Sequence, residues 1–197
     1  MNANPILTVV GALLLAACGA GASEAPPLEG ARLGGPFRLT GETGRPLTER
    51  DFAGRYRIMY FGFASCPDVC PTDLAVIGRA LKTFEAADPA RAAKVTPLFV
   101  SVDGGRDTPD VLRTYTDAFH PRLVGATGTK AQIDAVTRAY GAFYSIEPGA
   151  TPADTQVNHS NVATLFGPDG KPLAILPSSG PGSSAEAVAA ELDKWVA

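Results

Sequence analysis

The run Tyr56 to Phe63, YRIMYFGF, is apolar and aromatic, lies between Gly54-Arg55 and Ala64-Ser65, and suits a strand buried on both faces. It passes at once into SCPDVCP, Ser65 to Pro71, which holds two of the chain's three cysteines. From Pro71, a residue favoured at the first position of a helix, Leu74, Ile77, Leu81 and Phe84 recur at helical spacing, predicting a helix to about Ala87 that stops near Asp88-Pro89. A strand that needs cover on both faces, joined to a helix through a pair of sulfurs, restricts the chain to a layered fold.

The rest of the sequence fits that restriction. Val95 to Val102 reads as a second buried strand, and Thr108-Pro109-Asp110 opens a helix carrying Val111, Leu112, Tyr115 and Phe119. Leu123 to Ala126 forms a short strand, and Thr129 caps a helix whose apolar face includes Ile133, Val136 and Tyr140. Val162 to Phe166 and Pro172 to Leu176 flank Gly167-Pro168-Asp169-Gly170, turn chemistry that predicts a β-hairpin. Ser184 to Val196 closes the chain as a helix with Val188, Leu192 and Trp195 inward. Strands alternating with helices, then a hairpin and a last helix, give an α/β class: a central β-sheet flanked by helices, with the hairpin near the C-terminal helix. With a two-cysteine motif where the first central strand meets its helix, the arrangement is thioredoxin-like.

The 197 residues, 45% hydrophobic and 19% charged, are enough for one ordinary core. A net charge of −3 with scattered Lys and Arg leaves no electrostatic footprint for nucleic acid. The apolar run Pro5 to Ala17 is shorter than the ~20 residues of a permanent membrane span, and reads as a signal-peptide core even though no Lys or Arg precedes it. It ends in Leu15-Ala16-Ala17-Cys18, which resembles the lipobox of bacterial lipoproteins; a plain secretory signal that happens to contain a cysteine is the other reading. The expected organisation is a signal peptide over 1–17, a flexible tether over 18–35 beginning at a lipidated Cys18, and a folded domain over 36–197 outside the cytoplasm. Lipidation of Cys18 leaves Cys66 and Cys70 as each other's partners in a compartment where disulfides persist.

If Pro71 opens the helix, Cys70 lies at or next to its N-cap, where free N–H groups and the helix dipole favour a thiolate, which is both nucleophile and metal ligand. Three residues between the sulfurs, rather than two, leave room for a disulfide or for opening around a metal. A purely structural staple is the weaker reading, because so small a loop removes little entropy from the unfolded chain. A metal would need a third ligand, and the chain has two histidines. His120, in Phe119-His120-Pro121-Arg122, reads as a capping or solvated residue. His159, after a polar loop from Glu147 to Thr155, has no decisive local signal, although histidine is the commonest type of metal ligand.

The stretches FGFASCPDVCP, SVDGGRDTP, LVGATGTKAQIDAVTRAYGAFYS and VNHSNVATLFGPDGK occur in that order and resemble the successive signatures of the Sco/SenC family of copper-handling proteins. The resemblance covers nearly all of the folded region. It implies a thioredoxin-like, membrane-tethered protein that binds copper through Cys66, Cys70 and His159 and helps build the copper A site of cytochrome c oxidase. It also implies outer-shell or partner-contact roles for Asp68 and Asp103, which read equally well as solvated carboxylates at a loop and a strand end. Ser65 and Gly104-Gly105 depart from the family pattern without touching a ligand.

Two thiolates and an imidazole suit Cu(I) and could hold Cu(II) with an added donor. Zinc competes for such a set, but structural zinc normally takes four protein ligands. An electron-transfer copper site would want an axial ligand, and Met59 is placed inside the buried strand. The implied partners are a copper-receiving oxidase subunit, cytochrome c oxidase subunit II, with other periplasmic copper chaperones or thiol reductants, at the bacterial cell envelope. The rival reading is a thiol–disulfide oxidoreductase that reduces client cysteines for copper loading, with the same cysteine pair as its redox couple. His159 separates the two, being required by the first and dispensable to the second.

Overall fold

The computed structural model describes residues 24–151 and 154–197. Its middle is the strand Tyr56–Gly62, here β3, in which every residue is buried. Ile58 and Tyr60 point into one core and Met59 and Phe61 into the other, so both faces of the strand are covered, as its uninterrupted apolarity requires.

Around it the elements run β1 (Arg38–Gly41), β2 (Pro46–Thr48), a 3-10 turn (Glu49–Phe52), β3, α1 (Val69–Ala87), α2 (Pro89–Ala92), β4 (Val95–Ser101), α3 (Pro109–Asp117), β5 (Val124–Thr127), α4 (Lys130–Ala139), β6 (Tyr144–Glu147), β7 (Gln156–His159), β8 (Ala163–Phe166), β9 (Pro172–Leu176) and α5 (Ala185–Trp195). The main sheet has the order β2-β1-β5-β4-β3-β8-β9. β3, β4 and β5 are parallel, and β1, β8 and β9 pair antiparallel to their neighbours. β6 and β7 form a separate two-stranded ribbon.

Leu74, Ile77, Leu81 and Phe84 of α1, Leu112 of α3, and Val188 and Leu192 of α5 fill the core on one face. Ile133 and Val136 of α4, with Phe37, Leu39 and Phe52, fill the other. The expected helix starts hold: Thr108, Thr129 and Ser184 each accept a backbone N–H of the first turn, and Thr129 forms a full capping box with Gln132. The β8–β9 hairpin turns at Gly170, whose φ of 77° requires glycine.

Several expectations are corrected. α1 begins at Val69, two residues before Pro71, so Pro71 is its third residue. Val111 faces solvent, because the buried stripe of α3 is set by Leu112 and Thr116. His120 is 1% exposed, its Nδ1 accepting the Arg122 N–H at 3.2 Å, and burial pushes its pKa down, so it is neither solvated nor a helix cap. β1, β2, β6 and β7 were not legible as strands.

Residues 24–35, assigned to the tether from sequence, run along the domain: Glu24 pairs with Lys194 at 2.8 Å, the Leu28 N–H donates to Leu173 O, and the Gly34 N–H donates to Ala139 O. The expected signal segment and Cys18 lie outside the described residues. Among the described residues no helix is long and apolar enough to cross a membrane.

Candidate metal centre

β3, an inner strand, delivers the chain to the C-terminal end of the parallel strands at Gly62-Phe63, and the following turn is closed by the Cys66 N–H donating to Phe63 O at 3.2 Å. α1 then starts with Asp68 as N-cap, which makes Cys70 its second residue. Its free first-turn N–H points back and donates to Cys66 Sγ at 3.5 Å. The two cysteines are free thiols; Cys70 is wholly buried and Cys66 is 9% exposed.

His159 arrives from the far end of the sequence on β7, opposite Tyr144 of β6. The ribbon is tied at its base by the Ser160 N–H donating to Phe143 O at 2.9 Å. The imidazole stands edge-on to the rings of Phe63 and Tyr60, with centroids 5.7 and 6.3 Å away. Its Nδ1 lies 3.0 Å from Ser160 O. A carbonyl can only accept, so Nδ1 carries the proton and Nε2 presents its lone pair to Cys70 Sγ, 3.1 Å away. That backbone contact fixes the tautomer that a metal-ligating histidine needs.

The Cys66, Cys70 and His159 donor atoms all lie within 4.8 Å of one another, and they are the one such group of His, Cys, Asp and Glu among the described residues. Two sulfurs and one imidazole nitrogen form a soft, low-coordinate donor set that fits Cu(I). Among the described residues no fourth His, Cys, Asp or Glu donor joins it to complete a structural zinc site. Met59 belongs to the opposite core and so supplies no axial sulfur.

Two features missed in the sequence shape the pocket. Gly62 makes room for Cys70: a Cβ there would sit 2.6 Å from Cys70 Sγ and 2.9 Å from the Phe99 ring. Asp73, 2% exposed, accepts the Tyr60 hydroxyl at 2.9 Å, and its burial pushes the carboxyl pKa up. The signal for Asp73 was its place three residues after Cys70 on the apolar stripe of α1, where an acid needs a partner. The expected preference for a Cys70 thiolate is corrected. Burial pushes the Cys70 thiol above its ordinary range and outweighs its place at the helix N-terminus.

Asp68 and Asp103 stand outside the triangle. Asp68 is exposed and makes no side-chain cap, while its carbonyl accepts the Thr72 hydroxyl. Asp103 is buried after β4 and pairs with Arg106.

A family model described as SCO1/SenC matches residues 25–197. The chain belongs to the SCO1/SenC family. This SCO1/SenC chain is 43% identical over 153 residues to Protein SenC of Rhodobacter capsulatus, covering 78% of itself and 65% of that relative. It spans about half to two thirds of the length of the curated relatives it matches. Among solved structures it is similar to Bradyrhizobium japonicum ScoI with copper bound, at 32% identity and a TM-score of 0.73, covering 83% of this chain and 99% of that one. The thioredoxin domain of a thiol-disulfide oxidoreductase from Bacteroides vulgatus, 16% identical with a TM-score of 0.55, covers 84% of this SCO1/SenC chain and 96% of its own and shares the fold alone. The thioredoxin-like expectation therefore holds.

Proposed function

We propose that this chain is a membrane-tethered copper metallochaperone in which Cys66 and Cys70, as thiolates, and His159 hold copper and pass it to the copper A site of cytochrome c oxidase, with subunit II as the receiving partner. The observation that carries this reading is the convergence of three soft donors within 4.8 Å, in a family with a copper-bound solved relative. Copper is the cargo, and this chain's residues set its terms. Phe63 and Tyr60 pack around the imidazole, Ser160 O fixes its tautomer, and both thiols give up protons as the ion binds. Burial of Cys70 opposes a bare thiolate, so deprotonation is coupled to arrival of the positive ion.

Metal analysis of protein purified from the periplasm under reducing conditions tests the reading. The dithiol form is expected to carry one copper per chain and the disulfide form none. Zinc at full occupancy with no copper would defeat it.

The same sulfurs support a second reading, thiol–disulfide exchange on client cysteines. It is favoured by their closeness and by the greater exposure of Cys66, which suits it to meet an incoming disulfide.

Tethering rests on Leu15-Ala16-Ala17-Cys18, with the acylated cysteine holding the domain at the bacterial envelope. Changing Cys18→Ser is expected to abolish lipid labelling and leave the leader uncleaved by the lipoprotein peptidase. A wild-type mature chain that begins at another residue and fractionates away from membranes would remove the anchor.

A further inference from the structure

Between the end of β3 and the first turn of α1, residues 64–68 carry Cys66 without any regular secondary structure. Their hydrogen bonds to adjoining residues are local: the Cys66 N–H donates to Phe63 O, the Cys70 N–H to Cys66 Sγ, and the Thr72 hydroxyl to Asp68 O. Among the described residues one hydrogen bond alone ties this segment to another part of the chain. The Ala64 N–H donates to Asp107 Oδ2 at 2.8 Å.

Asp107 lies in the turn between β4 and α3, just before the Thr108 cap, and is 1% exposed. Its Oδ2 also accepts the Ser101 hydroxyl at 2.5 Å, and Ser101 Oγ in turn accepts the Asp103 N–H at 3.0 Å. Its own N–H donates to Asp103 O at 2.9 Å, closing the turn. β4 is the parallel neighbour of β3, with Gly62 opposite Ser101 and the Val102 N–H donating to Gly62 O. The carboxylate therefore reaches from a rigid strand end to the loop that leaves the adjacent strand. Among the described residues Asp107 Oδ1 is buried without a hydrogen-bond partner, so the side chain is kept at a cost although only one of its oxygens is used.

We infer that Asp107 is a positioning residue for the dithiol: by accepting the Ala64 N–H it clamps the loop that carries Cys66 and so sets how readily Cys66 Sγ meets Cys70 Sγ. Cys70 is already fixed by α1 and the core. Cys66 packs in the same core but on a segment outside any helix or strand, so its effective concentration at Cys70 depends on the clamp. The inference holds whether the pair carries copper or exchanges disulfides, and metal-free measurements separate its failure from failure of the copper reading.

The test uses the full chain, metal-free, equilibrated with reduced and oxidised glutathione. In closing the Cys66–Cys70 bond the two thiols give up two electrons and two protons to one oxidised glutathione, which becomes two reduced ones. Asp107→Ala is expected to lower the equilibrium constant for closure about 10-fold, a rise in potential of ~30 mV, and to speed amide exchange at Ala64 at least as much. Asp107→Asn keeps a carbonyl acceptor and should stay within about 2-fold of wild type. Thr108→Ala, which removes the α3 cap but not the Ala64 bond, should leave both readouts unmoved. Should Asp107→Ala fail to fold, Asp107→Glu, with its acceptor displaced by one methylene, is expected to shift closure in the same direction. An unchanged potential in Asp107→Ala or its Glu substitute, no rescue by Asn, or an equal shift in Thr108→Ala would overturn the assignment.

Discussion

His159→Ala is expected to lose tight copper binding while Cys66 and Cys70 still close and reopen at a potential near that of the wild type. Loss of an outer partner of a metal ligand alone costs about 10- to 100-fold in affinity, so loss of a ligand itself should exceed that range. The thiols should be largely indifferent, because their separation is set by α1 and the loop ahead of it, whereas His159 enters from β7 and touches only Cys70 Sγ of the pair. Competition against a Cu(I) chelator gives the affinity, and glutathione equilibration gives the potential. Unchanged affinity would remove His159 from the site. Full client maturation by a variant that holds no copper would transfer the role to disulfide exchange.

Gly62→Ala carries the second large effect. The new methyl would press on Cys70 Sγ and on the Phe99 ring, both fully buried, with no flexible side-chain end to give way. Overpacking of this kind costs about 1–3 kcal/mol, which in a domain of this size lowers the melting temperature by roughly 2–12 °C. Because one of the two clashing atoms is a proposed ligand, copper affinity should fall with stability. Gly105→Ala is the matched control: its nearest neighbour is Asp103 Oδ1 at 3.9 Å, so both quantities should stay at wild-type values. A Gly62→Ala protein that melts at the wild-type temperature and binds copper equally well would show that the sulfur has room to move.

What was legible in the sequence was what local chemistry writes. β3 and β4 announce themselves by apolar runs, and the helices by caps and stripes, since Thr108, Thr129 and Ser184 satisfy first-turn N–H groups whatever the rest of the chain does. β6 and β7 carried no such mark: Tyr144 to Glu147 and Gln156 to His159 are four residues each, half or more polar, and are defined only by pairing with each other. His159 therefore read as a loop residue until a resemblance singled it out. The start of α1 was misplaced because proline at the third helical position is as free of a hydrogen-bonding duty as at the first. Burial was the other quantity out of reach. The helix terminus argues for a Cys70 thiolate, but the surrounding core, assembled from residues throughout the domain, argues against one and prevails.

The register of β8 against β3, with Tyr60 beside Ala163, sets an order of events during synthesis. A nascent chain that has emerged as far as α4 holds Cys66 and Cys70 but not His159, which follows Cys70 by 89 positions. His159 comes just before β8, so its arrival coincides with the strand that completes the inner sheet. Non-local strand pairs such as β3 with β8 form slowly, because the entropy of closing the intervening chain opposes them. Of the three proposed donors, an unfinished chain therefore offers a stray ion the two thiols without His159. The third proposed donor is placed only once the β6–β7 ribbon has formed and β8 has joined β3, so on the proposed reading full affinity for metal is expected only of a chain that has made those pairings.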